Sequence, residues 1–276
     1  MATLLENQVA IITGSGRGIG AATAKLFAVH GAKVVVSDRD ADPANEVAEA
    51  IRAAGGEAIA IAGDITDPAF PDLLVKAAVD AFGKLHILVN NAGFTWDGVI
   101  HKMTDEQWQA MLDVHNTAPF RMIRAAAPYM REAAKDEKAA GRKPEPRCIV
   151  NVSSTSGIHG NAGQVNYATA KMGLVGLTKT IAKEWGSFNI RCNAVVFGVV
   201  DTRLTQPKER GEQIDVHGQK VPLGVPEQML SFIPMLIPLG RFGTPEEAAA
   251  GILLMACPLA AYVTGHVLEV TGGFGI

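Results

Sequence analysis

The sequence predicts an α/β protein built on a doubly wound sheet of parallel strands. Three observations carry that prediction. Short β-branched runs recur along the chain, segments of helical spacing alternate with them, and a glycine-rich turn joins the first run to the first helix.

The strand candidates are "VAIIT" at 9–13, "KVVVS" at 33–37, "AIAIA" at 58–62, "HILVN" at 86–90, "CIVNVS" at 148–153, "IRCNAVV" at 190–196 and "HVLEV" at 266–270. Most are apolar on both faces, as strands must be when helices cover a sheet on each side. Residues 19–30, 43–54 and 69–82 between them carry helical spacing. Right-handed crossovers then gather the carboxyl ends of the strands along one edge, where such folds bind ligands. Two segments break the rhythm. The run "REAAKDEKAAGRKPEPR" at 131–147 is dense in charge and reads as a helix prolonged into solvent, a charged surface insertion. Residues 203–240 show no strand rhythm and include the apolar stretch "MLSFIPMLI" at 229–237.

With 276 residues and 48% hydrophobic content, the chain reads as a single domain over 1–276. A net charge of −3 leaves no electrostatic footprint for nucleic acid. Apolar runs stop well short of the roughly 20 residues a membrane span needs. Residues 1–8 lack a cationic segment followed by an apolar run, so no secretory signal is expected. Cys148, Cys192 and Cys257 are odd in number and unpaired in spacing, which suits reduced thiols and a cytoplasmic location. The seven histidines show no ligand spacing such as His-x-x-x-His, so no metal is expected.

The chemistry concentrates in two places. "TGSGRGIG" at 13–20 puts Gly14, Ser15, Gly16, Arg17, Gly18, Ile19 and Gly20 between a strand and a helix. Such a corner lets backbone approach a pyrophosphate and aims a helix N-terminus at it. Asp38 closes the second strand, where a carboxylate accepts from the adenosine ribose of NAD and repels a 2′-phosphate. Arg17 and Arg39 pull towards that phosphate, leaving NADP as the alternative. In "SSTSGIHGNAGQVNYATAK", Tyr167 and Lys171 share a helix face, with Ser154 at the end of the preceding strand. A free tyrosine, with a pKa of about 10, is a poor base at neutral pH. A neighbouring ammonium is expected to lower it to a working value. Tyr at four residues from Lys is common on ordinary helices, and it is Ser154 and the glycine turn that lift this pair above packing.

These residues, together with Asp64 in "GDITD", "NNAG" at 90–93, "IRCNAVVFGVVDT", "GRFGTPEEAAAG" and "VTGHVLEVTGG", resemble the short-chain dehydrogenase/reductase family along almost the whole chain. The resemblance implies a seven-stranded Rossmann-like oxidoreductase that interconverts a secondary alcohol and a ketone with a nicotinamide cofactor. It places Asp64 and Ile65 beside the adenine, and Asn91, Ala92 and Gly93 beneath the cofactor. Val200 and Thr202 would hold the carboxamide, and residues 203–240 would form a substrate lid. It also implies a homotetramer or homodimer paired through the helices flanking the fifth strand.

His115 stands where the family often has an asparagine that helps a proton-relay water, and is counted among the catalytic candidates. Asn116 points about 100° further round an α-helix and is no simple substitute. Phe197 replaces the usual proline before Gly198, which would change the angle of the loop that follows. "DVH" and the serine–tyrosine stretch are similar to (3R)-hydroxyacyl-CoA dehydrogenase domains and to 3-oxoacyl-acyl-carrier-protein reductases, pointing to fatty acid metabolism. Several of those reductases place a carrier-binding arginine where Phe188 stands, so a CoA thioester or a free small molecule is the leading substrate class. Steroid or polyol dehydrogenases are the enzyme alternatives. A non-catalytic NAD-binding regulator is the rival from another class, and the intact triad speaks against it.

Overall fold

A computed structural model describes residues 3–216 and 218–275. Residues 1 and 2 of the N-terminal stretch therefore lie outside the described residues. The strands are β1 (Val9–Thr13), β2 (Lys33–Asp38), β3 (Glu57–Ala62), β4 (Ile87–Asn90), β5 (Arg147–Ser154), β6 (Ile190–Phe197), β7 (Gln213–Val216), β8 (Gln219–Pro222) and β9 (Val267–Val270). The principal helices are α1 (Gly18–Val29), α2 (Ala41–Ala53), α3 (Phe70–Phe82), α4 (Asp105–Leu112), α5 (Ala118–Ala127), α6 (Ala133–Ala139), α7 (Thr155–His159), α8 (Val165–Trp185), α9 (Glu227–Leu230) and α10 (Pro245–Ala256).

Seven strands form one parallel sheet in the order β3-β2-β1-β4-β5-β6-β9. The seven strand candidates match these within a residue at each end. Alternate residues divide between the two faces: Ala10, Ile12, Val34 and Val36 pack with α1, α2 and α10, while Ile11, Val35, Leu88 and Ile149 pack with α3, α5 and α8. Burial on both sides is why these runs are apolar throughout. The order reverses between β1 and β4, and the carboxyl ends of the strands there open a crevice.

Two regions differ from the sequence reading. Residues 203–240 do contain strand: β7 and β8 form an antiparallel hairpin whose Val216 and Val221 pack on Met111 and Val114. In the charged insertion, α6 ends at Ala139 and the loop is closed at its base by a buried ion pair. Arg147 is 4% exposed and Glu137 8%, with Arg147 Nη2 2.7 Å from Glu137 Oε1. The run is therefore not wholly a solvated surface, because its last arginine enters β5 and needs a buried partner.

Between α4 and α5 the chain makes a π-turn over Asp113–Thr117. The extra residue breaks the 100° register assumed for Asn116. Phe197 is the last residue of β6, pairing with Val270 and Ser154 in the ladders on either side. Among the described residues, no helix is long and apolar enough to cross a membrane.

Candidate active site

A cleft of about 1050 Å³ runs along the carboxyl edge of the sheet across the switch point. Its first end is the turn after β1. Gly14 takes a φ of +62° and backs onto the β4 end, where a Cβ would lie 2.7 Å from Ala92 Cα. A Cβ on Gly20 would collide with Gly14 O and lie 2.6 Å from Asn91 Nδ2. That amide donates to Thr13 O (2.9 Å) and Gly14 O (3.0 Å), stitching the two strand ends together. The first turn of α1 opens into the cleft with no side chain capping its N–H groups. The arrangement is a backbone cradle for an anion.

Gly14, Arg17, Gly18, Ile19, Gly20, Asp38, Arg39, Asp64, Ile65, Asn91, Ala92, Gly93, Val200 and Thr202 all line the cleft. Ser15 and Gly16 are not among the lining residues. Ser15 is buried, donating from Oγ to Ile12 O (2.7 Å) and accepting from Ser37 N (3.0 Å), so it braces β1 against β2 rather than facing the cleft. Gly16 N donates to Asp38 Oδ2 (2.9 Å) and thereby fixes the carboxylate at the strand tip.

The two arginines are both engaged. Arg17 Nη1 pairs with Asp40 Oδ2 at 2.8 Å, and Arg39 Nη1 donates to Asp215 O of the hairpin at 2.6 Å. Arg17 and then the other nearby guanidinium groups hold the Asp40 carboxyl below its ordinary range. Asp40 escaped the sequence reading, although "DRD" already places a second carboxylate beside Asp38. Asp64 accepts from Thr66 N (2.8 Å) and Thr66 Oγ1 (2.7 Å), which shapes the turn after β3.

At the other end, β5 delivers Ser154 and α8 delivers Tyr167 and Lys171 to the same wall. Ser154 Oγ accepts from Ser156 N at 3.2 Å, at the end of β5 that faces Tyr167. Lys171 is 4% exposed, donates from Nζ to Val152 O at 2.8 Å, and stands 5.5 Å from the centroid of the Tyr167 ring. Burial brings its pKa down to about 7. Tyr167 moves opposite to the sequence expectation. Burial pushes it up to about 12, the Ser154 hydroxyl opposes this, and the Asp97 charge adds to it. The reason is geometric: the ammonium is spent on Val152 O and sits over the ring instead of bonding the hydroxyl.

His115 also borders the cleft, its Nε2 2.8 Å from Phe94 O, while Asn116 turns away and donates to Ala170 O at 2.9 Å. Asp97 is a further wall residue that no sequence pattern marked. Burial raises its pKa, and both its oxygens accept from Gln164 Nε2 (3.0 and 3.1 Å). Met229, Ile233, Leu236 and Phe274 supply an apolar wall to the same end.

A family model described as short chain dehydrogenase matches residues 8–213. The chain belongs to the short-chain dehydrogenase family. Its similar relatives include a 3-oxoacyl-[acyl-carrier-protein] reductase of Synechocystis, 39% identical over 273 residues covering 98% of each chain. Another is a 3-oxoacyl-[acyl-carrier-protein] reductase of Thermotoga maritima, 38% identical over 272 residues and 99% of each. A short-chain reductase protein, NovJ, of Streptomyces niveus is 37% identical over 268 residues, 97% of this chain and 94% of its own. This dehydrogenase is thus an oxidoreductase acting on CH–OH groups, and its cofactor is a nicotinamide dinucleotide. The cradle fits that cofactor's pyrophosphate, since the first turn of α1 opens into the cleft with no side-chain cap, and Gly14 and Gly20, having no Cβ, let that turn pack directly on the ends of β1 and β4.

Proposed function

We propose that this protein reduces a 3-oxoacyl thioester to the 3-hydroxyacyl thioester with NADH, Tyr167 giving the proton. The observation that carries the reading is the meeting of Ser154, Tyr167 and Lys171 at one end of a cleft whose other end holds Asp38 and Asp40. The dinucleotide, when bound, supplies hydride. The chain's own residues supply the proton and the geometry. A phenol with a pKa of about 12 is protonated at neutral pH, so Tyr167 is poised as the acid that reduction requires. Ser154 orients the carbonyl oxygen towards that proton. Lys171, over the ring, offsets the charge left on the phenolate once the proton has gone.

Gly14, Gly18 and Gly20 with the α1 N-terminus would cradle the pyrophosphate, Asn91 to Gly93 the nicotinamide half, and Val200 and Thr202 its carboxamide. Asp38 would accept from the adenosine ribose. The case for NADH over NADPH rests on that carboxylate and on the pairing of Arg17 with Asp40, which leaves the guanidinium already neutralised. The apolar wall of Met229, Ile233 and Leu236 suits an acyl chain, and the names of the relatives point the same way. Phe188 stands where several carrier-binding reductases have an arginine, and that replacement favours CoA as the thioester handle. Three buried free cysteines support a cytoplasmic setting, and half-exposed Phe120 and Met172, on the helices flanking β5, support a homotetramer or homodimer.

The test is turnover on acetoacetyl-CoA, a carrier-linked 3-oxoacyl substrate and simple ketones, each with NADH and NADPH. Tyr167→Phe should lose about 10²–10⁴-fold in kcat, the usual worth of a positioned acid, while still binding NADH. A Tyr167→Phe protein that turns over every substrate at the parent rate refutes the assignment.

A further inference from the structure

His115 is 2% exposed, and three independent contacts meet on its ring. Its Nε2 lies 2.8 Å from Phe94 O. A carbonyl only accepts, so Nε2 carries the proton and Nδ1 holds a lone pair that has no hydrogen-bond partner among the described residues. The ring then stands edge-on to Tyr167, with centroids 5.0 Å apart and planes at 85°. On its other side lies Gly93: a Cβ there would collide with His115 Cε1 and stand 2.9 Å from Nδ1. The π-turn over Asp113–Thr117 is what carries the imidazole into this slot.

A carbonyl at Phe94, a missing side chain at Gly93 and an aromatic edge at Tyr167 are three unrelated features that agree on one imidazole. Burial and the Lys171 charge keep the ring neutral, well below its ordinary pKa, so it is unsuited to donate a proton to the reaction.

We propose that His115 is a positioning residue, a spacer that sets the distance between the Asn91–Gly93 shelf and the Tyr167 phenol, with Gly93 as its matched partner. This rests on the reading of Tyr167 as proton donor, and its two arms are separable. The N–H to Phe94 O governs the shelf, and so dinucleotide binding. The ring edge governs the tyrosine, and so kcat.

The experiment uses two substitutions that each keep one arm, in the full-length enzyme, with NADH titration and steady-state reduction of acetoacetyl-CoA. His115→Phe keeps a ring against Tyr167 but strands Phe94 O. It should weaken NADH binding by about tenfold, the worth of one buried hydrogen bond lost with its partner left unpaired, with kcat within about threefold. His115→Gln can still donate to Phe94 O but loses the ring. It should keep the NADH affinity within about twofold and lower kcat by about tenfold, an effect of orientation. Gly93→Ala should weaken NADH binding by more than about tenfold through overpacking, and adding His115→Ala should relieve the clash, so that the double variant binds NADH no worse than His115→Ala alone.

Equal losses in both parameters for both variants, tracking a fall in unfolding midpoint, would overturn the proposal, as would a Gly93→Ala defect that His115→Ala does not relieve. If His115→Phe fails to fold, the Gly93→Ala pair decides by NADH titration alone. Tyr167→Phe separates the two readings. Undiminished turnover there sinks the proton-donor assignment, whereas a dead Tyr167→Phe beside unaltered His115 variants sinks only the spacer.

Discussion

Dinucleotide choice offers the sharpest test of the cleft. In Asp38→Ser/Asp40→Ser, the carboxylate at the tip of β2 is removed and Arg17 is released from its partner at 2.8 Å. That ion pair is about two-fifths exposed on each side, 39% for Arg17 and 42% for Asp40. It therefore contributes only about 0.2–1 kcal/mol, and breaking it is cheap. Asp38 is different, because it is anchored by Gly16 N at 2.9 Å and Asp40 N at 3.2 Å. Losing its charge-assisted bond to a ribose hydroxyl should cost NADH about 1.5–3 kcal/mol. A freed guanidinium on a 2′-phosphate should return a similar amount to NADPH. The two effects multiply, so the ratio of kcat/KM for NADPH to that for NADH should rise by about 10²–10⁴-fold, each 1.4 kcal/mol being tenfold. The assay is steady-state reduction with each dinucleotide at saturating acetoacetyl-CoA. A ratio that moves by less than about threefold, with the double variant folded, would refute the placement of the adenosine ribose at Asp38.

Other outcomes follow from the same geometry. Reduction should slow as pH rises through about 7, because Lys171 then loses the charge that supports the phenolate, and Lys171→Met should abolish that limb of the profile. Asp97→Asn removes a negative charge that raises the Tyr167 pKa, so the limb for alcohol oxidation, which needs phenolate, should move to lower pH in a rate–pH series. Glu137→Gln leaves Arg147 buried without its counter-charge and should cost about 3 kcal/mol in urea unfolding. Because Arg147 lowers the Glu137 pKa from 4.5 to about 2, the pair's stabilisation is whole above pH 4.5 and is lost as pH falls towards 2.

The sheet was legible because each strand is buried on both faces, so hydrophobicity alone marks its length; Val34 and Val35 point to opposite layers and are equally apolar. The hairpin of β7 and β8 was not, because four-residue strands on the surface bury only Val216 and Val221, and so short an alternation has no periodic signal. Tyr167 and Lys171 were found by their spacing on one helix face, yet the direction of the tyrosine shift was missed. That direction depends on where the ammonium points, and Val152 O, which claims it, belongs to another element. The side on which Ser15 sits was not legible for a related reason: a glycine-rich turn has an inner and an outer side, and only coordinates distinguish them.

The clamp at the base of the charged loop bears on how the gene can be rebuilt. Glu137 takes Arg147 and the amide of Glu145, and Glu145 in turn holds Lys84 and His86, so both ends of residues 140–146 are pinned to the sheet independently of the turn between them. Foreign peptide spliced between Arg142 and Lys143, both exposed, leaves the side-chain contacts of that footing in place. An epitope or a fluorescent reporter can ride there, and the enzyme beneath it should keep its parent turnover.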